Sequence, residues 1–259
     1  MRFYIYKKTI TNCKGKDRVM RTIIVALVAF ALFVPLAYGE VYSNIVGLYK
    51  IDCGVGRNLV SMPFLPFNST LDNVIGNQLT GHSLNKFLSD NIERWDPVAK
   101  AYQRAWYNTT QQKWVDWNTG GAPFNFNPDE SYWINIISGH AAKTVTLLGE
   151  VSETNRTIAV GAGRNMVAPS FPKAISLADS GLIASGFTGH SLNKFLSDRL
   201  EWWDRVTGSY FMVWYKTTDS TWRDWDGNLA TKNLVPGEGY WIVVATGHTP
   251  FTWIVPKPY

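Results

Sequence analysis

Cysteine is scarce: the 259-residue chain has two, Cys13 and Cys53, too few for a disulfide framework. Charge is sparse at 17% of residues, yet 46% are hydrophobic, which excludes a disordered chain. No Gly-rich phosphate loop of Walker type is present. A basic character is missing too, despite the formal net charge of +5. Residues 1–39 hold seven Lys and Arg against Asp17 alone, whereas residues 40–259 carry 18 basic and 19 acidic groups. The loss of that excess argues against nucleic acid as a partner. Long apolar runs are also lacking. Residues 23–34 form a run of twelve, well short of the roughly 20 that cross a bilayer.

What that run does offer is a secretory signal. Arg18 and Arg21 precede it, and Pro35 and the small residues Ala37 and Gly39 follow. Residues 1–39 therefore read as a signal peptide cut after Gly39, with Met20 as an alternative start. The mature product is expected outside the cytoplasm, extracellular or periplasmic, with no stable membrane insertion. Cys13 leaves with the signal, and Cys53 remains as a lone thiol.

The richest feature is an internal repeat. Thr80-Gly-His-Ser-Leu-Asn-Lys-Phe-Leu-Ser-Asp90 recurs letter for letter as Thr188–Asp198. The offset of 108 holds without a gap through Trp95-Asp96, Trp106-Tyr107, Trp114-x-Asp-Trp117 and Tyr132-Trp133-Ile134. Between 80–134 and 188–242 there are 30 identities in 55 positions. Upstream the offset slips to 107, which sets Cys53 against Val160 and marks it as a core position. The mature chain thus reads as two units, 40–150 and 151–259, each long enough for a core of its own.

Within a unit, short runs bounded by turn residues indicate strands: Arg57–Met62, Glu93–Asp96, Tyr102–Asn108, the Trp-x-Asp-Trp segment, Tyr132–Ile137 and Thr144–Leu148, with their counterparts in the second copy. Helical spacing is expected over Thr70–Ile75, from Ser176 onward, and over Ser83–Ser89 and Ser191–Ser197. The fold class is all-β and mainly antiparallel: two tandem duplicated β-sandwich or barrel-like units with one or two short helices each.

Gly56-Arg-Asn-Leu-Val-Ser-Met-Pro63, the tryptophan–aspartate hairpins and Gly239-Tyr-Trp-Ile242 resemble the tandem β domains of uncharacterised exported bacterial proteins, with G-x-N-L-V-S-x-P and G-Y-W-I motifs. The second copy departs at Met166 and Ala168, and the first has Ser131 in place of the motif glycine. The resemblance implies secretion and a β fold and brings no catalytic activity.

The chemistry-bearing groups come in pairs. His82 and His190 sit in Gly-His-Ser turns, and His140 and His248 follow a glycine. Gly-His-Ser-Leu-Asn lacks the final glycine of a nucleophile elbow and reads better as a capping turn. No metal spacing is present, and no cofactor is expected. All twelve tryptophans lie in the mature part. Trp114 and Trp117 are three apart, so one of them points away from the core, as with Trp222 and Trp225. Exposed Trp rings beside carboxylates suit sugar stacking, while the same rings also suit a core. The candidate ligand-binding residues are Trp117, Asp116, Trp225, Asp224, His82 and His190. The leading reading is a secreted, non-catalytic tandem binding or surface protein for carbohydrate or a cell-surface protein. A structural envelope, matrix or fibre component is the alternative, and a secreted hydrolase is the third.

Overall fold

A computed structural model describes residues 44–259; the expected signal peptide and cleavage point, Met20 and Cys13 lie outside them. In the first half the strands are β1 (Val46–Cys53), β2 (Gly56–Ser61), β3 (Asn91–Asp96), β4 (Ala101–Asn108), β5 (Lys113–Asp116), β6 (Ser131–Ile136) and β7 (Lys143–Glu150). In the second half they are β8 (Arg156–Val160), β9 (Gly163–Val167), β10 (Ile175–Ser176), β11 (Arg199–Asp204), β12 (Ser209–Lys216), β13 (Thr221–Asp224), β14 (Asn233–Leu234), β15 (Tyr240–Val244) and β16 (Phe251–Val255).

The pairing of these strands is antiparallel throughout. One five-stranded sheet runs β2-β6-β3-β4-β5 and the other β9-β15-β11-β12-β13. Each is accompanied by a two-stranded ribbon, β1-β7 or β8-β16. Inward side chains of sheet and ribbon share one core in each half. Val145 and Leu147 of the first ribbon join Ile92, Tyr132 and Ile134, and Ile158 and Trp253 of the second join Leu200, Tyr240 and Ile242. The choice between sandwich and barrel thus resolves into a sheet layered on a ribbon. Cys53 and Val160 are both buried at corresponding ends of the ribbons.

Helix is scantier than its spacing suggests. Thr70–Ile75 yields one turn, α1 (Leu71–Val74), and the expected helix after Ser176 is α2 (Leu182–Ser185), six residues later. Ser83–Ser89 and Ser191–Ser197 form only the 3-10 turns Lys86–Leu88 and Lys194–Leu196. Their caps are Asn85 and Asn193, which accept from the N–H two residues on, rather than the serines. An Asx cap holding an extended residue favours a tight turn over a propagating helix.

The strand Tyr240–Val244 is buried on both faces. One face looks into the core and the other meets the opposite sheet, which explains its unbroken apolar run. Leu59, Trp133, Met166 and Trp241 are buried at this seam, with Trp95, Trp203 and Tyr210 against them. Contacts recur with the halves exchanged. Trp95 meets Trp241 edge-on at 5.6 Å, and Trp203 meets Trp133 at 5.6 Å. Trp95 Nε1–H donates to the Arg164 carbonyl at 3.0 Å and Trp203 Nε1–H to the Arg57 carbonyl at 3.1 Å. Arg57 lies 4.5 Å over the Trp133 ring and Arg164 4.5 Å over Trp241. Edge-on aromatic pairs contribute about 0.5–1.5 kcal/mol beyond their burial. Each sheet also buries one glutamate here. Glu93 pairs with Arg57 at 2.5 Å and with Arg104; Glu201 pairs with Arg164 at 2.6 Å and Arg199 at 2.7 Å.

Candidate binding surfaces

The letter-for-letter block forms a loop docked on the end of β4, and its copy docks on β12. Gly81 makes the docking possible: a Cβ there would lie 2.5 Å from the Tyr107 carbonyl oxygen. His82 then pairs with the strand, its N–H donating to Tyr107 O and its carbonyl accepting from Thr109 N, both at 3.1 Å. The imidazole Nδ1 accepts the N–H groups of Leu84 (3.2 Å) and Asn85 (2.9 Å), and His190 does the same with Leu192 and Asn193. These histidines therefore shape their turns and keep the ring proton on Nε2. Neither is placed as the base of a serine nucleophile.

The block ends in a fully buried aspartate. Asp90 accepts from Thr80 N (2.9 Å), Ile137 N (3.1 Å) and His140 Nδ1 (2.7 Å), fastening the loop to the end of β6. Asp198 repeats this with Thr188 N, Ala245 N and His248 Nδ1. Between these anchors the apolar side chains point outward. Leu84 is 88% and Phe87 69% exposed, and Leu192 and Phe195 are 81% and 65% exposed.

Trp114 is in the core and Trp117 half-buried on the other side, as the spacing requires; Trp222 and Trp225 divide likewise. Trp117 and the His82 loop come together. Phe87 meets the Trp117 ring edge-on at 5.4 Å, and Lys86 donates to the Trp117 carbonyl at 2.6 Å. The second half matches, with Phe195 at 5.2 Å from Trp225 and Lys194 bonded to its carbonyl. Asp116 and Asp224 are turn-formers. Asp116 accepts Asn118 N, Thr119 N and the Thr119 hydroxyl; Asp224 accepts Asp226 N and Asn228 N. Burial pushes the Asp116 carboxyl up, but these donors outweigh it and hold it below the usual range. All three donors meet Asp116 Oδ1 and leave Oδ2 without a hydrogen bond among the described residues, whereas Asp224 Oδ2 accepts from Asn228 Nδ2 at 3.2 Å.

Around the two tryptophans the halves diverge. Trp225 lines a cleft of about 490 Å³ with Trp202, Phe211, Met212, Leu229 and Thr231. Trp202 and Phe211 are cross-strand partners, their rings stacked at 5.7 Å and 15°. Lys232, bonded to Glu238 at 2.6 Å, sits 5.0 Å over Trp202. At the corresponding positions the first half has Arg94, paired with Glu130, then Gln103 and Arg104. The Arg104 guanidinium lies 4.8 Å over the Trp117 ring. Sequence reasoning missed Trp202, Phe211 and Met212. Their signal is the apolar replacement of Arg94, Gln103 and Arg104 at an offset of 108, and Trp202 is one of two tryptophans without a Trp counterpart. The other, Trp253, is in the core and donates to the Ser180 carbonyl at 2.8 Å.

Among the described residues no group of three or more His, Cys, Asp or Glu could hold a metal, and no helix is long and apolar enough to cross a membrane. No family model, no curated protein and no solved structure matches the chain.

Proposed function

We propose that the chain is an exported, non-catalytic binding protein built of two duplicated units, whose second unit takes a carbohydrate in the Trp225 cleft. The observation that carries this reading is the stacked Trp202–Phe211 pair beside Trp225, at positions where the first half has Arg94, Gln103 and Arg104. Flat apolar rings with a few polar groups suit the faces and hydroxyls of a sugar. Asp226 and Thr231 supply those groups along the wall. The signal-like leader supports export.

A glycan array with the full chain tests this. Binding of uncharged glycans is expected, with loss in Trp225→Ala and in Met212→Arg, which copies the first half's arginine, and retention in Trp117→Ala. An array without hits removes the reading.

A second reading, self-association on a surface or in a fibre, is favoured by the first ribbon. Leu48 and Leu148 face each other across β1 and β7, both more than half exposed, with Ile45 and Val46 exposed beside them. Such a strand surface invites protein contacts. Concentration-dependent assembly in light scattering, abolished by Leu48→Lys, is its expected sign; a strict monomer at high concentration rejects it.

A further inference from the structure

We infer a second ligand site, for an acidic sugar, in the shallow depression between the His190 loop and the end of β15. It shares no lining residue with the Trp225 cleft and does not depend on that reading. The depression, about 490 Å³, is lined by His190, Phe195, Leu196, Arg199 and His248.

Three observations point to a built site. First, Phe195 and Leu196 stay identical to Phe87 and Leu88 although both are more than half exposed. Phe195 is held by its edge-on contact with Trp225 at 5.2 Å, as Phe87 is by Trp117, and the rest of its ring stays open to solvent. Second, the two histidines and Arg199 are on fixed mounts. Asp198, fully buried, holds His248 Nδ1 at 2.7 Å and leaves Nε2 unbonded among the described residues. His190 is set by two backbone N–H groups with its proton on Nε2. Arg199 is oriented by its Nε–H to Glu201 at 2.7 Å, and its two terminal amino groups make no hydrogen bond among the described residues. Third, these groups complement one ligand type. A guanidinium with two free donors takes a carboxylate or sulfate, an exposed Phe ring takes a sugar face, and two imidazoles take hydroxyls. The first half retains His82, His140, Phe87 and Leu88 but has Asn91 in place of Arg199, so the anion preference belongs to the second half.

Calorimetric titration of the full chain with trigalacturonate, a heparin-derived tetrasaccharide and cellotetraose tests this. With the Trp225 cleft closed by Met212→Arg, at least one of the two anionic probes is expected to bind one site per chain, at least tenfold more tightly than cellotetraose. Which of them binds tells carboxylate from sulfate. Arg199→Asn and Phe195→Ala each weaken that binding at least tenfold, and Met212→Arg, in the other cleft, leaves it unchanged. Phe195 is exposed, so its variant decides the matter should Arg199→Asn fail to fold. The site is overturned if neither anionic probe binds, if Met212→Arg abolishes the anionic binding or still binds cellotetraose as tightly, or if Phe195→Ala leaves the affinity intact.

Discussion

Glu93 in the first sheet and Glu201 in the second face the same problem with different solutions. Both are buried carboxylates, and both are met by two arginines. Arg57 and Arg164 stand at equivalent places, but the second guanidinium comes from the neighbouring strand in one half (Arg104, on β4) and from the same strand in the other (Arg199, on β11). A buried charge demands compensation without dictating where it originates. The relocation also has a surface consequence. With Arg199 serving Glu201, position 212 is free to be Met, and the Trp225 cleft acquires an apolar wall where Trp117 has a guanidinium.

The seam shared by the halves should give the largest effects. Trp133→Ala and Trp241→Ala each remove a buried indole from equivalent places, and each is expected to lose about 3–5 kcal/mol in denaturant unfolding. A large inequality between them would show that the exchange of contacts is only geometric. Next comes the relocated arginine. Arg199→Asn leaves Glu201 with Arg164 alone and should lose about 2 kcal/mol, less than a fully broken buried pair because the arginine is partly exposed. Adding Met212→Arg recreates the first half's arrangement and should recover most of the loss; no recovery would break the equivalence. Gly81→Ala and Gly189→Ala press a methyl group onto a backbone carbonyl and should each lose about 1–2 kcal/mol, by similar amounts.

The smallest effect concerns Cys53 against Val160. Burial, partly offset by Arg205, pushes the Cys53 thiol up to about 12 from 9.0. The folded value lies above the unfolded one. Stability is therefore untouched below pH 9 and declines as pH rises towards 12, an effect absent from Cys53→Val. At pH 8 the peptide carrying Cys53 should stay unlabelled by iodoacetamide in mass spectrometry until denaturant is added.

Much of the sheet framework was legible because alternation and turn residues act locally. The Tyr-Trp-Ile strands, the tryptophan–aspartate hairpins, the burial of Cys53 and the opposed faces of Trp114 and Trp117 all follow from period and repeat. The 3-10 turns were not, since Leu84, Phe87 and Leu88 have helical spacing and only the Asn85 cap and the buried Asp90 turn them outward. The seam was not legible either. Sequence shows that Trp95 and Trp241 are apolar, but not that they meet across 146 residues. Of the candidate site residues, Trp225 lines a cleft, Asp116 and Asp224 tie turns, and His82 supports its own loop. The rings that complete the cleft, Trp202 and Phe211, stand where the copies disagree, and a search for agreement passes over them.

The exchanged contacts at the seam carry one more consequence. Each half presents both a Trp95-type donor and the carbonyl and ring that receive one, so these contacts follow an approximate two-fold, the relation that in exact form builds isologous homodimers. A single half expressed alone is self-complementary and should pair with a second copy of itself. In this chain the partner is attached through the short segment between β7 and β8, which places it at high effective concentration and makes the association independent of how dilute the protein becomes.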